Sequence, residues 1–386
     1  MSFKKRFLKS TDSIAGSLAC AALSRAQKAP EIRSLHKVEG PVVIIRPGGI
    51  GDAVMLLPML QILRETFPER RIDIVCETRN SKVFELGMPE SKIICYDKTP
   101  RVAVSTLRHG KYAAAIDTEQ FHNFSAVMAA LTKAPIRVGF KTNPRRYGLY
   151  THLVDYNTTG CEDEQFMKLL QATGVDVPRL PSRVGILANA NLPDLPDSLE
   201  SLEPAGALVV HAGGSIPEKR CPAKAMAEVC KAARGEFGLQ PMIIGGKEDV
   251  EYAAEIANLA DGSAHNICGK LKLEETVALC RKAVALVGPD SGIAHLAVAV
   301  GTPVVVAFGP SDPAKWGPPE GAGVSLKGLA PCAPCSLFGY SKPCRNPECV
   351  LNATGDQIVA ALRNLLEKRN GKESNKTRRN DIRAGG

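Results

Sequence analysis

Residues 42–63 read VVIIRPGGIGDAVMLLPMLQIL: an apolar run, a glycine turn, an aspartate and a second apolar stretch. A short apolar run closed by Pro-Gly-Gly has the composition of a strand covered on both faces, and residues 53–67 have that of a helix packed against it. This unit places a carboxylate, Asp52, where a strand-to-helix glycine turn ordinarily receives an anion.

Outward from it, 71–76, 92–96 and 113–117 continue as strands, with helical patterns at 81–86 and 125–131 between them. Such alternation predicts a parallel sheet with helices on both faces. LANANLPDLPDSLESLEPAG (187–206), rich in Pro, Asn, Asp and Ser, interrupts the pattern as a linker. The alternation then restarts, with strands at 207–211, 241–245, 283–287 and 303–308 and helices at 222–237, 250–259, 274–282 and 293–300. A last helix is expected at 356–369. The fold class is therefore α/β: two Rossmann-like, doubly wound parallel-sheet domains with an interdomain cleft at the carboxyl ends of the strands. The expected organisation is a basic, amphipathic arm (1–38), a first domain (39–186), the linker (187–206), a second domain (207–355) and a terminal helix with a basic tail (356–386).

The 386 residues, 44% hydrophobic and 23% charged, suffice for two cores. No apolar run reaches the roughly 18 residues that a membrane-spanning helix needs. The formal charge of +9 is concentrated at the ends: eight Lys/Arg against two acids in 1–38, and six against two in 369–386. A fold made for nucleic acid carries its charge on the folded body, so nucleic acid is not an expected partner. Basic arms suit an anionic membrane surface, with solvated tails as the alternative reading. On a helix, Phe3, Phe7, Ile14, Leu18 and Ala21 share one side, as interfacial docking requires. The polar run 10–13 breaks the apolar core that a signal peptide needs. The chain is read as cytoplasmic, and on the membrane reading of its arms as peripheral on the inner face of the inner membrane.

A dinucleotide fingerprint is one reading of GGIGDA, but Gly48, Gly49 and Gly51 do not make G-x-G-x-x-G. Val54 stands at the last glycine's place, and Asp52 would face the pyrophosphate with like charge. Asp52 has two readings: a helix cap, stabilising by about 1 kcal/mol, or a carboxylate placed to accept a proton from a hydroxyl. An anion is better served in the second half, where VVHAGGSIPEKRCP sets Lys219 beyond a small-residue turn and just ahead of a helix. In GPDSGIAH (288–295) a strand ends, Asp290 and Ser291 precede a helix, and Gly292 admits close approach. The N–H groups of Ser291, Gly292 and Ile293 are then free to meet a diphosphate. His295, one turn further in, reads as a ligand or as a core residue. RVGFKTNPRRYGLYTH carries Arg137, Lys141, Arg145 and Arg146, which read as cations for an acidic acceptor or as a solvated face.

Eight of twelve cysteines are scattered and read as small core residues. The other four, Cys332, Cys335, Cys344 and Cys349, have the spacing C-x2-C-x8-C-x4-C. That spacing is compatible with a structural zinc clip, with free thiols or a redox pair as alternatives.

Four stretches in this order, VVIIRPGGIGDAVMLLPMLQILRETFP, VVHAGGSIPEKRCP, IIGGKEDVE and GPDSGIAHLAVAVGTPVVVAFGPSDPAKWGP, resemble the family 9 glycosyltransferases, the ADP-heptose:lipopolysaccharide heptosyltransferases. The resemblance implies a GT-B fold with the acceptor on the first domain and an ADP-sugar on the second. It implies inverting transfer of a heptose or related sugar to a hydroxyl of a lipopolysaccharide core or related glycan, with no cofactor required for catalysis. By motif match, Asp52 is the implied catalytic base, with Gly49 and Gly51 beside the acceptor, and Lys219 is the lysine that holds the diphosphate. Gly213, Gly214, Ser215, Asp290, Ser291, Gly292 and His295 belong to the implied donor site, and Glu248 looks like the acid that grips ribose, or else a carboxylate favouring a helix start. The rival functions are a non-catalytic nucleotide- or sugar-binding module, which has no need of Asp52, and a nicotinamide-dependent oxidoreductase, which the glycine spacing disfavours.

Overall fold

Each strand expected from the sequence is found in one of two six-stranded sheets, one in each of two units, 1–183 and 184–386. The computed structural model describes residues 11–24, 34–203, 206–214, 216–328, 330–336, 344 and 346–384, with side chains as far as 369. The first sheet comprises β1 (Val42–Arg46), β2 (Ile72–Cys76), β3 (Lys92–Cys95), β4 (Ala114–Asp117), β5 (Ile136–Phe140) and β6 (His152–Val154), in the order β3-β2-β1-β4-β5-β6. The second comprises β7 (Ala207–His211), β8 (Gln240–Ile244), β9 (His265–Asn266), β10 (Ala285–Pro289), β11 (Val304–Phe308) and β12 (Gly323–Lys327), in the order β12-β11-β10-β7-β8-β9. All paired strands are parallel. Both sheets therefore have the same doubly wound order, and in each the order reverses beside the first strand, between β1 and β4 and between β7 and β10. Every residue of β1, β7 and β11 is buried, as strands covered on both faces require.

The principal helices of the first unit are α1 (Ser17–Ser24), α2 (Ile50–Thr66), α3 (Thr78–Gly87), α4 (Pro100–His109), α5 (Asn123–Leu131) and α6 (Glu162–Gln171). In the second they are α7 (Ala223–Gly235), α8 (Val250–Leu259), α9 (Leu273–Lys282), α10 (Gly292–Ala299) and α11 (Gly355–Ala384). α2 begins three residues earlier than the apolar pattern suggests, because Gly49 ends the turn in extended backbone and serves as its N-cap. Asp52 is thereby inside the first turn. β5, β6, β9 and β12 and the helices α4 and α6 were not expected from the sequence: β5 contains an arginine, and β6 and β9 are too short to show a period.

The described part of the Pro-rich stretch, 187–203, packs on the second unit. Leu187 donates its N–H to Ala299 O at 2.7 Å, and Leu187, Leu195 and Leu199 are buried. α11 runs well past the expected residue 369, and its Ile358, Leu362 and Leu365 enter the same core as Met226 and Val229 of α7. At the other end, Asp12 receives the N–H groups of Asn123 (3.0 Å) and Phe124 (2.8 Å) at the start of α5, and Cys20 of α1 is buried in the first core. Ile14 (66%) and Leu18 (69%) are exposed on this segment, while Phe3 and Phe7 lie outside the described residues. Among the described residues no helix is long and apolar enough to cross a membrane.

Candidate functional site

The carboxyl end of β1 delivers Arg46 and then the Pro-Gly-Gly turn into α2. Asp52, in the first turn of α2, makes no capping hydrogen bond; its Oδ1 lies 3.0 Å from Arg46 Nη2 instead. Arg46 is buried and its Nη1 donates to Thr118 O, just beyond β4, at 2.7 Å. Burial alone would lower the pKa of this guanidinium, but Asp52, then Glu119, Glu162 and Asp117, more than offset that and raise it. Glu162 accepts from Gln120 and from Tyr156 OH at 2.6 Å. Glu119 pairs with His122 at 3.0 Å; burial opposes ionisation, but the His122 hydrogen bond and the nearby arginines hold its carboxyl down to about 2. The Asp52 side chain is 23% exposed, and among the described residues only its Oδ1 is engaged.

Two of the four expected acceptor cations are inside the protein. Arg137, on β5, gives its Nε to Leu149 O (2.8 Å) and its Nη1 to Ala134 O (2.6 Å), which closes the loop between β5 and β6. Arg146 Nη2 contacts Asp117 Oδ2 (2.7 Å), Glu119 O (2.9 Å) and Tyr150 OH (2.5 Å), and Tyr150 OH donates to the same Asp117 oxygen at 2.6 Å. Arg137 thus ties backbone carbonyls together and Arg146 neutralises Asp117, both inside the fold, so the expectation that they face an acceptor is corrected. Lys141 and Arg145 are exposed: Lys141 stands 3.8 Å from Asp155, and Arg145 Nη1 is 3.2 Å from Ser17 Oγ.

In the second unit the structure gathers much of the expected donor site. Lys219, ending the short turn Pro217–Lys219, is buried and pairs with Asp290 Oδ2 at 2.5 Å. Burial would raise the Asp290 pKa; Lys219, His295 and a hydrogen bond from Ser311 reverse this and lower it. Ser291 is the N-cap of α10, its Oγ accepting from Ala294 N, so Gly292 and Ile293 offer the orphan amides of that terminus. His295 is buried one turn into α10.

Three residues here escaped the sequence reading. His211, last in β7, is buried with Nδ1 3.1 Å from Ser291 Oγ, so it spans the point where the strand order reverses. Burial lowers its pKa to about 4, which leaves the imidazole neutral. Arg220 Nη2 pairs with Asp249 Oδ1 at 2.6 Å, and Asp249 also accepts from Gly246 N at 3.0 Å, tying the 213–220 loop to the turn after β8. Gly213 is required there: a Cβ would collide with the Asp249 carboxylate and lie 3.0 Å from His211 Nε2. Gly214 follows in the same turn, and Ser215 lies outside the described residues. Glu248 sits exposed on the turn after β8, so Asp249 is the buried acid of that pair.

Cys332, Cys335, Cys344 and Cys349 line one cavity of ≈190 Å³ together with Glu218 and Pro310. Among the described residues, however, no three His, Cys, Asp or Glu side chains are gathered closely enough to hold a metal. Cys349 is buried in the helical turn Glu348–Leu351, whereas Cys335 is tethered through its N–H to Pro310 O at 2.9 Å and its thiol is exposed. The expected zinc clip therefore finds no ligand set. The scattered cysteines are packing residues, with burial pushing Cys221, Cys230 and Cys280 up to about 12.

Residues 102–346 match the family described as Glycosyltransferase family 9 (heptosyltransferase). The chain belongs to this family. Lipopolysaccharide heptosyltransferase 2 of Salmonella typhimurium is 26% identical over 294 residues, covering 70% of this chain and 83% of that protein. Among solved structures, the E. coli heptosyltransferase WaaC with ADP superposes with a TM-score of 0.68 at 17% identity, over 84% of this chain and 99% of that one. The same enzyme with ADP-2-deoxy-2-fluoro heptose gives 0.64 at 17% identity, over 85% and 99%. The two sheets are thus those of a GT-B fold, and the chain is a family 9 glycosyltransferase.

Proposed function

We propose that this glycosyltransferase moves a heptose from ADP-heptose to a hydroxyl of a lipopolysaccharide core, with inversion at the anomeric carbon. The observation that carries the reading is the pairing of Asp52: Arg46 engages one oxygen, no cap engages the other, and the second unit holds a buried lysine beside an open helix N-terminus. Asp52 Oδ2 takes the proton of the acceptor hydroxyl as its oxygen attacks the anomeric carbon. The bond from that carbon to the diphosphate oxygen breaks, and the charge left on ADP is met by Lys219 and the amides of Gly292 and Ile293. Lys219 has three N–H donors, so its bond to Asp290 aims it and leaves two for phosphate oxygens. Glu248 is the carboxylate offered to the ribose, and Lys141 and Arg145 are the cations offered to acidic groups of the acceptor.

The two roles separate experimentally. Asp52→Asn is expected to lower kcat by ~10²–10⁴ with ADP affinity kept, the range for loss of a general base. Lys219→Met should weaken ADP binding by about 1.5–3 kcal/mol, the scale of hydrogen bonds to a charged group. Calorimetry with ADP beside turnover with ADP-heptose decides: an Asp52 variant that turns over normally returns that residue to a structural role. We further infer work at the inner membrane face, supported by exposed Ile14 and Leu18 and by the four cations that precede them in the sequence, Lys4, Lys5, Arg6 and Lys9. Ile14→Glu with Leu18→Glu should abolish flotation with phosphatidylglycerol vesicles, and equal flotation counts against it.

A further inference from the structure

We propose that Arg46 is a positioning residue for the transfer: it engages Oδ1 of Asp52 and so presents Oδ2, fixed in direction, to the acceptor hydroxyl. This rests on the reading of Asp52 as the base. Arg46 closes an otherwise apolar buried strand, an expensive place for a cation unless its charge is compensated. Its donors are distributed across the point where the strand order reverses, Nη1 to Thr118 O (2.7 Å) after β4 and Nη2 to Asp52 (3.0 Å) on α2. The guanidinium lies 5.5 Å from the Phe166 ring centroid of α6, and Asn80 Nδ2 holds the Arg46 carbonyl at 3.2 Å. Gly48, with φ +117°, makes room, since a Cβ there would stand 3.3 Å from Nη2. The group is pinned from strand, turn and helix at once.

The neighbouring acids show why Asp52 is the one left able to react. Asp117 has Oδ1 bonded by Glu119 N and Oδ2 by Arg146 and Tyr150, and Glu162 has one oxygen taken by Gln120 and the other by Tyr156. Both are buried. Among the described acids around Arg46, Asp52 alone combines partial exposure with an unengaged oxygen, and Arg46 is the contact that sets which oxygen that is. A base acts only when its lone pair is aligned on the proton, so holding the carboxylate is worth rate without touching substrate.

A double-mutant cycle in the full-length enzyme tests this, with ADP-heptose and a lipopolysaccharide-core acceptor. Arg46→Met should lower kcat by ~10²-fold, the cost of misplacing a reacting group by about 1 Å, with KM for ADP-heptose within twofold. In an Asp52→Asn background the same substitution should cost almost nothing, because the group through which it acts is gone. Arg46→Lys should recover part of the rate, and its residual loss should likewise vanish in Asp52→Asn. That conservative variant carries the test if Arg46→Met does not fold. An equal fall in kcat in both backgrounds, or a fall that tracks loss of ADP binding, overturns the proposal while leaving Asp52 as the base. If Asp52→Asn alone leaves kcat unchanged, the base itself is wrong and the proposal goes with it.

Discussion

The crevice between β1 and β4 and that between β7 and β10 lie at the same topological position of sheets with the same strand order, yet they hold opposite chemistry. In the first, two buried guanidiniums face four carboxylates; Arg46 Nη1 and Nη2 and Arg146 Nε and Nη2 are committed to other protein groups, while Arg46 Nε and Arg146 Nη1 have no partner among the described residues. In the second, a neutral imidazole, a lysine aimed by Asp290 and a run of small residues leave helix amides unclaimed. The difference begins at the last residue of the first strand. Arg46 draws a carboxylate to the N-terminus of α2, so that this helix end is already served and an incoming anion would be repelled. His211 carries no charge and hydrogen-bonds the cap of α10, so that helix end remains able to take a phosphate. The doubly wound scaffold fixes where a ligand sits; one side chain at the strand end selects its sign.

If the first crevice is a closed ion-pair network, breaking it should cost folding before it costs binding. Arg146→Met leaves Asp117 buried without its cation and is expected to lower unfolding stability by roughly 3–5 kcal/mol in urea titrations. Arg146→Met with Asp117→Leu should recover most of that loss, since no unpaired charge remains. The exposed pair is the control: Lys141→Ala with Arg145→Ala should leave stability within ~0.5 kcal/mol, the range for surface changes, and appear only as a raised acceptor KM at low salt. A raised acceptor KM in Arg146→Met at unchanged stability would make that crevice an open binding surface and end the contrast.

The two crevices were not equally legible in the sequence. Strands β1, β7 and β11 declare themselves because a parallel strand covered on both faces reads as a near-continuous apolar run, and VVIIR, ALVVH and VVVAF are apolar but for the last residue of the first two. The second crevice was legible for a related reason: the role proposed for it lies in backbone amides and small residues, and these follow from local order, glycine after serine after a strand end. The ion-pair network was not. Arg146 pairs with Asp117, 29 positions away, so its burial depends on how β4 and the loop after β5 meet, and a charge run reads as solvated until that is known. Arg46 did leave a trace, a cation closing a buried apolar run, whose cost demands a partner that Asp52 supplies six residues on. The cysteine spacing fixes distances along the chain, and although the four cysteines line one cavity, no set of three metal-binding side chains is gathered among the described residues, so the zinc reading has no support beyond that spacing.

The smaller effect sharpens the contrast through its sign. His211 in the second crevice has its pKa lowered by burial to about 4 from an ordinary 6.5, so protonation costs the folded state more than the unfolded one. Its contribution is fully present above about pH 6.5 and is lost as pH falls toward 4, by up to about 3 kcal/mol if the whole shift is realised. His122 in the first crevice has its pKa raised by its hydrogen bond to Glu119, so its contribution is present below the ordinary imidazole range and lost as pH rises through the raised value. His211→Asn, which keeps a polar atom facing Ser291, should therefore flatten the acid-side fall in stability between pH 6.5 and 4. His122→Gln should remove stability at the acid end instead. Urea midpoints measured for His211→Asn between pH 4 and 6.5, and for His122→Gln from about pH 6.5 upward, give slopes of opposite sign relative to the parent, because one crevice disfavours the charged imidazole and the other favours it. Slopes of the same sign would mean that the second crevice also stabilises cationic imidazole, and the room assigned to a phosphate there would have to be given to a carboxylate.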